Sequence, residues 1–129
     1  MMIEDLGTML QGLGHGTLAI DLFLYQLPDE PDECVGLRIY EGPEPEFSHN
    51  ANMPTYERPR FQMTVRKITV SAAMATAQSI WLDLMNVRNM AIGGTRYIAI
   101  HPLQSPFILE RDENNRWVAG ANFEVWKEV

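Results

Sequence analysis

The side chains best suited to acid–base or metal chemistry in this sequence are three histidines and a dense group of carboxylates. Catalysis needs a base, a nucleophile and an orienting group in one pocket, and metal ligands recur at characteristic spacings. His15 lies in a glycine-rich stretch, His49 lies in a proline-rich segment and His101 precedes a proline, so their spacings match no metal motif. The sequence therefore predicts no catalytic residue, no metal ligand and no cofactor.

Acidic residues are concentrated in one part of the chain. There are 17 acidic and 10 basic side chains, a formal charge of −7. The crowded acids are Asp29, Glu30, Asp32, Glu33, Glu41, Glu44 and Glu46. Such a cluster could hold a divalent cation, but the glycine and terminal glutamate of an EF-hand loop are missing at their spacings, which favours a solvated loop. The cluster would also repel phosphate backbones, so specific nucleic-acid binding is not expected.

The glycines around His15 superficially resemble a phosphate-binding loop. Gly12, Gly14 and Gly16 alternate with other residues, but no strand precedes them and no Lys-Ser/Thr pair follows. An amphipathic helix is predicted from Ile3 to Leu13, with Glu4 and Asp5 in its first turn, where the helix dipole favours anions. We therefore interpret the glycines as the end of this helix.

The clearest structural pattern lies between Phe61 and Ile100. Apolar and polar residues alternate from Phe61 to Arg66, which predicts a half-buried strand. Ser71 can then cap a helix that Gly93 and Gly94 end, and Thr95 to Ile100 resumes the strand pattern. The apolar stripe of this helix consists of Ala73, Ala77, Ile80, Trp81, Leu84 and Val87. The stripe predicts a core helix that lies across a sheet.

Before this unit, strands are predicted from Asp21 to Leu27 and from Cys34 to Tyr40, with a proline-rich turn between them. The only cysteine, Cys34, has apolar neighbours, which indicates a core thiol rather than a nucleophile. After the unit, a short strand from Phe107 to Glu110, an Asp-Glu-Asn-Asn turn and an alternating C-terminal strand predict a terminal hairpin.

The segment from Glu41 to Arg58 shows no periodicity and contains three prolines. A connection this long is uncommon inside a compact domain and is usually disordered or a binding element. We interpret residues 41–59 as an extended arm that contacts another subunit or partner, with plain disorder as the alternative. The predicted interface residues are Glu41, Pro43, Pro45, Phe47, Pro54, Tyr56 and Arg58.

Together these elements predict one α+β domain over residues 1–129, in which two helices cover a mostly antiparallel sheet of about five to six strands. With 46% hydrophobic and 21% charged residues, the chain can bury one core as a soluble protein. No apolar run has the length of a membrane helix and the first residues are acidic, so the chain is expected to stay in the cytoplasm where it is made, without membrane contact.

Short motifs along nearly the whole chain resemble a known family. They are residues 2–7, 16–18, 21–24, 27–32, 56–59, 103–107, 111–114 and 122–125. These motifs resemble the minor capsid proteins of tailed bacteriophages, which are similar to the tail terminators of long-tailed phages. The resemblance implies a virion structural protein of the neck without catalysis. It further implies a hexameric ring that ends the tail tube, joins it to the head connector and lets DNA pass without specific binding.

In such a ring, acids on the inner surface would keep DNA from adhering to the channel. The acids predicted to face the lumen are Asp29, Glu30, Asp32, Glu33, Asp112 and Glu113, although they could equally keep an outer surface soluble. Two alternatives stay open. One is a head-completion or stopper protein of the neck, and the other is a small enzyme or ligand-binding domain with His101, Tyr97 and Asp83 in a pocket.

Overall fold

The computed structural model describes residues 2–40, 46–47 and 54–129. These residues form two helices and nine strands. In chain order they are α1 (Met2–Gly12), β1 (Leu22–Leu24), β2 (Cys34–Tyr40), β3 (Glu46–Phe47), β4 (Pro54–Glu57), β5 (Arg60–Lys67), α2 (Val70–Met85), β6 (Arg88–Ile92), β7 (Thr95–Pro102), β8 (Phe107–Arg111) and β9 (Trp117–Glu128). The predicted α+β fold, with two helices and a mostly antiparallel sheet, is confirmed.

The 12-residue strand β9 organises the sheet. One of its edges pairs with β5 and then, near the C-terminus, with β4. The other edge pairs first with β8 and then with β7. Four strands therefore pair with β9. The main path of the sheet runs β1-β2-β5-β9-β4-β3, and β8 and the β6–β7 hairpin pair with the other edge of β9.

The core lies between the helices and one face of this sheet. Phe61, Met63 and Val65 of β5 are fully buried, and the register pairs them with Phe123, Ala121 and Ala119 of β9. The rings of Phe61 and Phe123 stack with their centroids 5.0 Å apart. The alternation in β5 therefore has the predicted effect, since its apolar residues all lie on the face that the helices cover.

The stripe of α2 is confirmed, but the predicted ends of this helix are wrong. Ala73, Ala77, Ile80 and Leu84 are fully buried, whereas Trp81 is partly buried. The helix begins earlier than Ser71 predicts, because Thr69 has an extended backbone and its hydroxyl accepts a hydrogen bond from the Ala72 amide at 3.2 Å.

At its other end α2 stops at Met85, and β6 occupies the residues that follow. Val87 lies outside the helix but is buried, and its position in the sequence continues the three- and four-residue spacing of the apolar stripe. This coincidence explains why the sequence predicted a longer helix. Gly93 and Gly94 have φ values of 58° and 82° and form the two-residue turn between β6 and β7. Positive φ at both positions suits a tight hairpin, so these glycines turn a hairpin instead of ending a helix.

The strand predicted from Asp21 to Leu27 is only three residues long and pairs parallel with β2. It ends because Tyr25 has a φ of 77°, and its amide donates to the carbonyl of Leu37. The prediction for Cys34 is confirmed, since this residue is buried in β2. Burial is the largest influence on the Cys34 thiol and raises its pKa.

The predicted arm is not wholly irregular. β4 pairs with the last residues of β9, with Tyr56 opposite Glu128, and β3 pairs with β4. β5 pairs with β9 only as far as Glu124, so the backbone N–H and C=O groups further along this edge of β9 are available to another strand. β4 pairs there, at Lys127 and Glu128. Pro54, Tyr56 and the backbone of Phe47 therefore belong to the sheet. The predicted contact residues Glu41, Pro43 and Pro45 and the histidine His49 lie outside the described residues.

The predicted helix end at the first glycines is confirmed. α1 ends at Gly12, and Gly14 and Gly16 have positive φ values of 86° and 147°. Leu13, predicted as the last apolar residue of the helix, follows α1 and is about half exposed. The predicted C-terminal hairpin is also present, as β8 and β9.

Candidate interaction surface

Two loops that are distant in the sequence meet at Arg116, which is only 4% exposed. Its Nε donates a hydrogen bond to Oδ2 of Asp112 at 2.8 Å, within the turn between β8 and β9. Its Nη1 donates to the carbonyl of Asp29 and lies 3.2 Å from Oδ1 of Asp32. Arg116 thus ties the turn at residues 112–116 to the loop at residues 28–33.

The same loop folds around a second buried cation, Arg66 of β5, which is 5% exposed. Nε of Arg66 donates to the carbonyl of Asp32 at 3.1 Å. Nη2 is 2.7 Å from the carbonyl of Pro28 and 2.6 Å from that of Pro31. A buried guanidinium is costly unless its N–H groups are satisfied, and here backbone carbonyls satisfy several of them. The loop is therefore held in one shape by Arg66 and Arg116.

This arrangement brings together two acidic regions that lie far apart in the sequence, residues 29–33 and residues 112–113. Asp29, Glu30, Asp32 and Glu33 are exposed on the loop, and Glu113 is exposed on the adjoining turn. Asp112 differs, because its carboxylate is committed to Arg116 and to the amides of Asn114 and Arg116. We call the exposed carboxylates of residues 29–33 and Glu113 the acidic surface.

The electrostatics at the junction follow from these contacts. Desolvation alone would raise the pKa of Asp112, but hydrogen bonds from the amide and guanidinium of Arg116 outweigh it and lower this pKa below its ordinary value. For Arg116, burial alone would lower the pKa, and the carboxylates of Asp112 and Asp32 raise it above its ordinary value. Both side chains are thus charged at neutral pH.

Beside the acidic surface, a groove crosses the sheet face opposite the helices. Its floor contains Gly36 of β2 and Thr64 of β5, and the register places Gly120 of β9 in the same row, beneath Leu109. The glycines are required by close packing. A Cβ at Gly36 would lie 2.7 Å from Leu27, and one at Gly120 would lie 2.7 Å from Leu109 and 2.9 Å from the Met63 carbonyl.

The groove has a volume of about 400 Å³. One wall is the segment from Tyr25 to Asp29, and the other is formed by Leu109 and Glu110 of β8. Arg66 and Arg116 line the groove as well, so the two arginines that hold the acidic loop also fix its position as a wall. The full lining is Tyr25, Gln26, Leu27, Asp29, Gly36, Leu37, Arg38, Gln62, Thr64, Arg66, Leu109, Glu110, Asp112, Arg116 and Val118.

Two of the predicted arm residues, Tyr56 and Arg58, pack on Trp126 of β9. The ring of Tyr56 meets that of Trp126 edge to face at a centroid distance of 6.0 Å, and the guanidinium of Arg58 lies 5.2 Å from the ring centre. Nε1 of Trp126 is buried and has no hydrogen-bond partner among the described residues. The base of the arm is therefore attached to the sheet of its own subunit.

The residues considered for an enzymatic pocket do not converge. Tyr97 is fully buried and donates to Asp5 in the first turn of α1, whereas Asp83 pairs with His15, beyond the other end of α1. His101 is exposed on β7. Within residues 2–40, 46–47 and 54–129, no group of three or more His, Cys, Asp or Glu residues is arranged to hold a metal ion.

Sequence reasoning missed Arg66 and Arg116, the residues that shape this surface. Arg66 occupies an ordinary polar position of an alternating strand, and nothing local distinguishes it. For Arg116 the sequence contains a weak indication. Asp112, four residues earlier, can accept hydrogen bonds both from the Arg116 guanidinium and from the backbone amides of the turn. The contacts of both arginines with residues 28–32 could not be inferred from local spacing.

Comparison with known proteins decides the family. A model of the family described as "Bacteriophage tail terminator protein" matches residues 9–129. The chain belongs to the bacteriophage tail terminator family. It is thus a structural component of phage tails, and the resemblance found in the sequence is confirmed. No curated protein sequence matches the chain significantly.

A solved structure supports the fold of this tail terminator family member. A chain from the virion of a native gene transfer agent (GTA) particle superposes with a TM-score of 0.59 at 14% identity. The match covers 84% of the present chain and 78% of the other. In the described part of the chain, no helix is long and apolar enough to span a membrane.

Proposed function

We propose that this protein is a ring-forming neck protein that ends the phage tail tube and joins it to the head connector, with no catalytic role. The observation that carries the proposal is the family match over residues 9–129. The proposed partners are further copies of the chain in a hexamer, the tail tube protein and the connector proteins, with DNA passing through the ring unbound. The proposed location is therefore the neck of the virion.

Electron microscopy of the purified protein and of tails from a phage that lacks it tests this function. Rings with six-fold symmetry, together with capped tails of uniform length when the protein is restored, are the expected result. A localisation between the connector rings would instead identify a head-completion or stopper protein. Monomers that neither form rings nor bind tail ends would overturn the proposal.

The arm is proposed to supply the contact between neighbouring subunits. A closed ring uses two different surfaces of each subunit, and the described part of the arm, β3 and β4, forms one end of the sheet order, where a neighbouring subunit can be contacted. The interface comprises Glu41, Pro43, Pro45, Phe47, Pro54, Tyr56 and Arg58. Tyr56 and Arg58 lie against Trp126 of their own subunit and would anchor the arm at its base.

Replacing residues 43–53 with a short Gly/Ser linker tests the arm. The replacement removes the two-residue strand β3 but spares β4 and its pairing with β9, so the monomer should melt close to the wild-type temperature. Rings should be lost in micrographs. Rings formed as readily as by the wild type would show that the arm is not the subunit contact.

The acidic surface, extended by Asp112, is proposed to face the channel. Symmetry multiplies any inner charge by the number of subunits, and fixed negative charge keeps the phosphate backbone of passing DNA from adhering. Support comes from the junction at Arg116, which places both acidic regions on one surface. The opposing view, that these acids only keep an outer surface soluble, predicts no effect on DNA.

A charge reversal that spares the Arg116 junction separates these views. Glu30, Glu33 and Glu113 are exposed and do not contact Arg116, and Glu33 accepts only a long hydrogen bond of 3.4 Å from the Ile68 amide. Replacing all three with lysine should therefore leave the fold intact. Particles should assemble and eject DNA more slowly, most clearly at low salt, where screening is weak. Ejection at the wild-type rate from assembled particles at every salt concentration would reject the channel position.

A further inference from the structure

We infer that the free edge of β6 receives the β3 edge of a second copy of this chain, so that the sheets of neighbouring subunits join into one. The inference rests on the proposed ring-forming function and deepens it, because it names the surface that the arm of the neighbouring subunit contacts. The strand order, the direction of the backbone groups in β6 and the charges at the two edges carry it.

β3 and β6 lie at opposite edges of the same part of the sheet. Glu57 of β4 and Tyr97 of β7 both lie opposite Lys127 of β9, and Met90 of β6 lies opposite Tyr97. The strands there run in the order β3-β4-β9-β7-β6, and neither β3 nor β6 has a second neighbouring strand among the described residues. A closed ring needs two different surfaces on each subunit, and these two edges provide them.

The middle of β6 directs backbone groups away from its hairpin. The hairpin between β6 and β7 has a two-residue turn, so the residues that flank the turn, Ile92 and Thr95, exchange both of their backbone hydrogen bonds. Because this pattern alternates along the strand, the N–H and C=O groups of Ala91 point to the free edge. Residues 88–91 are exposed, so another strand can reach these groups. One pair of hydrogen bonds with Ala91 matches the two-residue length of β3.

The surface around β6 is positively charged. The sequence contains no acidic residue at positions 84–109. Arg88 and Arg96 are exposed there, and in the described part of the chain neither contacts an acidic side chain. Asp5 lies beside the turn of the hairpin, but its carboxylate accepts a hydrogen bond from the buried Tyr97. An acidic strand would therefore complement this edge.

The arm carries the opposite charge. Residues 41–57 include four glutamates and no lysine or arginine. Glu57 pairs with Lys127 of its own subunit, and the other three, Glu41, Glu44 and Glu46, lie at or just before β3 in the sequence. Opposite charges at the two edges favour head-to-tail contact between copies and disfavour contact between two arms or two hairpins. A second copy thus supplies the negative charge that complements the β6 edge.

Cross-linking tests the pairing directly. Ala91→Cys combined with Glu46→Cys places one thiol at each edge, and the buried Cys34 stays unreactive. Within one subunit three strands separate β3 from β6, a distance of roughly 19 Å, so a shorter bismaleimide can link only different copies. Purified rings or phage tails treated with this reagent should give a ladder of covalent oligomers on denaturing gels. Ala91→Cys with Glu110→Cys is the matched control, because Glu110 is exposed at the free edge of β8, and it should give monomers.

Proline at position 91 tests the hydrogen bonds. A strand tolerates proline where the N–H faces away from its neighbour, so Ala91→Pro and its control Ala91→Val should both melt near the wild-type temperature. Only the proline removes the N–H that β3 would bond, so ring formation should fall at least tenfold for Ala91→Pro and not for Ala91→Val. Arg96→Glu keeps the backbone and should also weaken ring formation, whereas Arg38→Glu, an equal charge change at an exposed position of β2, should not.

These measurements separate the edge pairing from the ring itself. Rings that give no covalent oligomers from Ala91→Cys with Glu46→Cys, or that form equally well with Ala91→Pro, would overturn the inference and leave the proposed function intact. A cross-link from Ala91→Cys to a different virion protein would also overturn it, because another strand would then occupy the edge. A wild-type protein that forms no rings refutes the proposed function and the inference together.

Discussion

The phenolic hydroxyl of Tyr97 donates a hydrogen bond of 2.7 Å to Oδ2 of Asp5 and joins the buried middle of β7 to the first turn of α1. Tyr97 is fully buried, and desolvation together with the Asp5 carboxylate raises its pKa. Tyr97→Phe removes only the hydroxyl. We expect the free energy of unfolding to fall by about 1.5–3 kcal/mol, the usual range for a hydrogen bond to a charged group, measured by urea denaturation.

The pH dependence gives this first prediction a second check. Because the pKa of Tyr97 is raised in the folded state, the stabilisation that its hydroxyl provides is fully present below the unfolded-state pKa of about 10. This stabilisation is lost as the pH rises further. The difference between wild type and Tyr97→Phe should therefore shrink above about pH 10. Tyr25→Phe is the comparison, because Tyr25 is half exposed and makes only a 3.3 Å contact with Glu4. Desolvation and Glu4 raise the pKa of Tyr25 as well, so its effect should have the same sign as that of Tyr97 and a smaller size. A constant difference from neutral to alkaline pH would contradict the assigned contact.

The contacts of Asp112 lead to a prediction for stability at low pH. Its pKa is lowered in the folded state, so its stabilising effect is present above the ordinary value of 3.8 and is lost as the pH falls through the lowered pKa. Asp112→Asn keeps the shape but removes the charge beside Arg116. We expect lower stability than wild type at neutral pH and convergence of the two proteins in strong acid, measured by denaturation at several pH values.

Loop mobility tests the same junction independently. Without the Asp112 charge, Arg116 holds residues 28–33 less firmly, so hydrogen exchange of this loop should accelerate. Glu113→Gln, at an exposed position of the same turn, should leave both stability and exchange unchanged. If the two variants behave alike, Asp112 does not organise the loop.

Gly36 and Gly120, which lie in one row of the sheet, should differ in their tolerance of alanine. At Gly36 the closest atom is the end of the Leu27 side chain, which can move. At Gly120 a Cβ would also lie 2.9 Å from the Met63 carbonyl, and backbone cannot move aside without disturbing β5. We expect Gly120→Ala to cost about 1–3 kcal/mol and Gly36→Ala less, as judged by thermal or urea denaturation. Restoration of Gly120→Ala by Leu109→Ala would show that the side chain, not the carbonyl, is the obstacle.

Trp81 should contribute less to stability than its size suggests. It is partly buried on α2, and its Nε1 donates to the carbonyl of Gln104 at 3.0 Å. Trp81→Phe should cost about 1 kcal/mol through the lost hydrogen bond, and Trp81→Ala about 2–3 kcal/mol, below the range for fully buried aromatics. Leu84→Ala, at a fully buried position, should cost about 2–5 kcal/mol and is the comparison. A Trp81→Ala protein that unfolds in water would place this residue in the central core.

The sequence by itself determined the elements whose patterns are local. Alternation placed Phe61, Met63 and Val65 on one face, and the spacing of Ala73, Ala77, Ile80 and Leu84 marked the buried stripe of α2. These patterns are reliable because side-chain direction repeats every two residues in a strand and every 3.6 in a helix. Family motifs along the chain added the phage structural role, which the family match confirms.

Only the tertiary structure decided the features that depend on distant partners. Arg116 meets Asp29 across 87 positions of sequence, and Gly36, Thr64 and Gly120 form one row only because three strands adopt a particular register. The strand β6 and the pairing of β4 exist because neighbouring strands offer unpaired backbone groups. A residue's own neighbours carry no information about such partners, so the acidic surface and the groove beside it emerge only when the sheet is assembled.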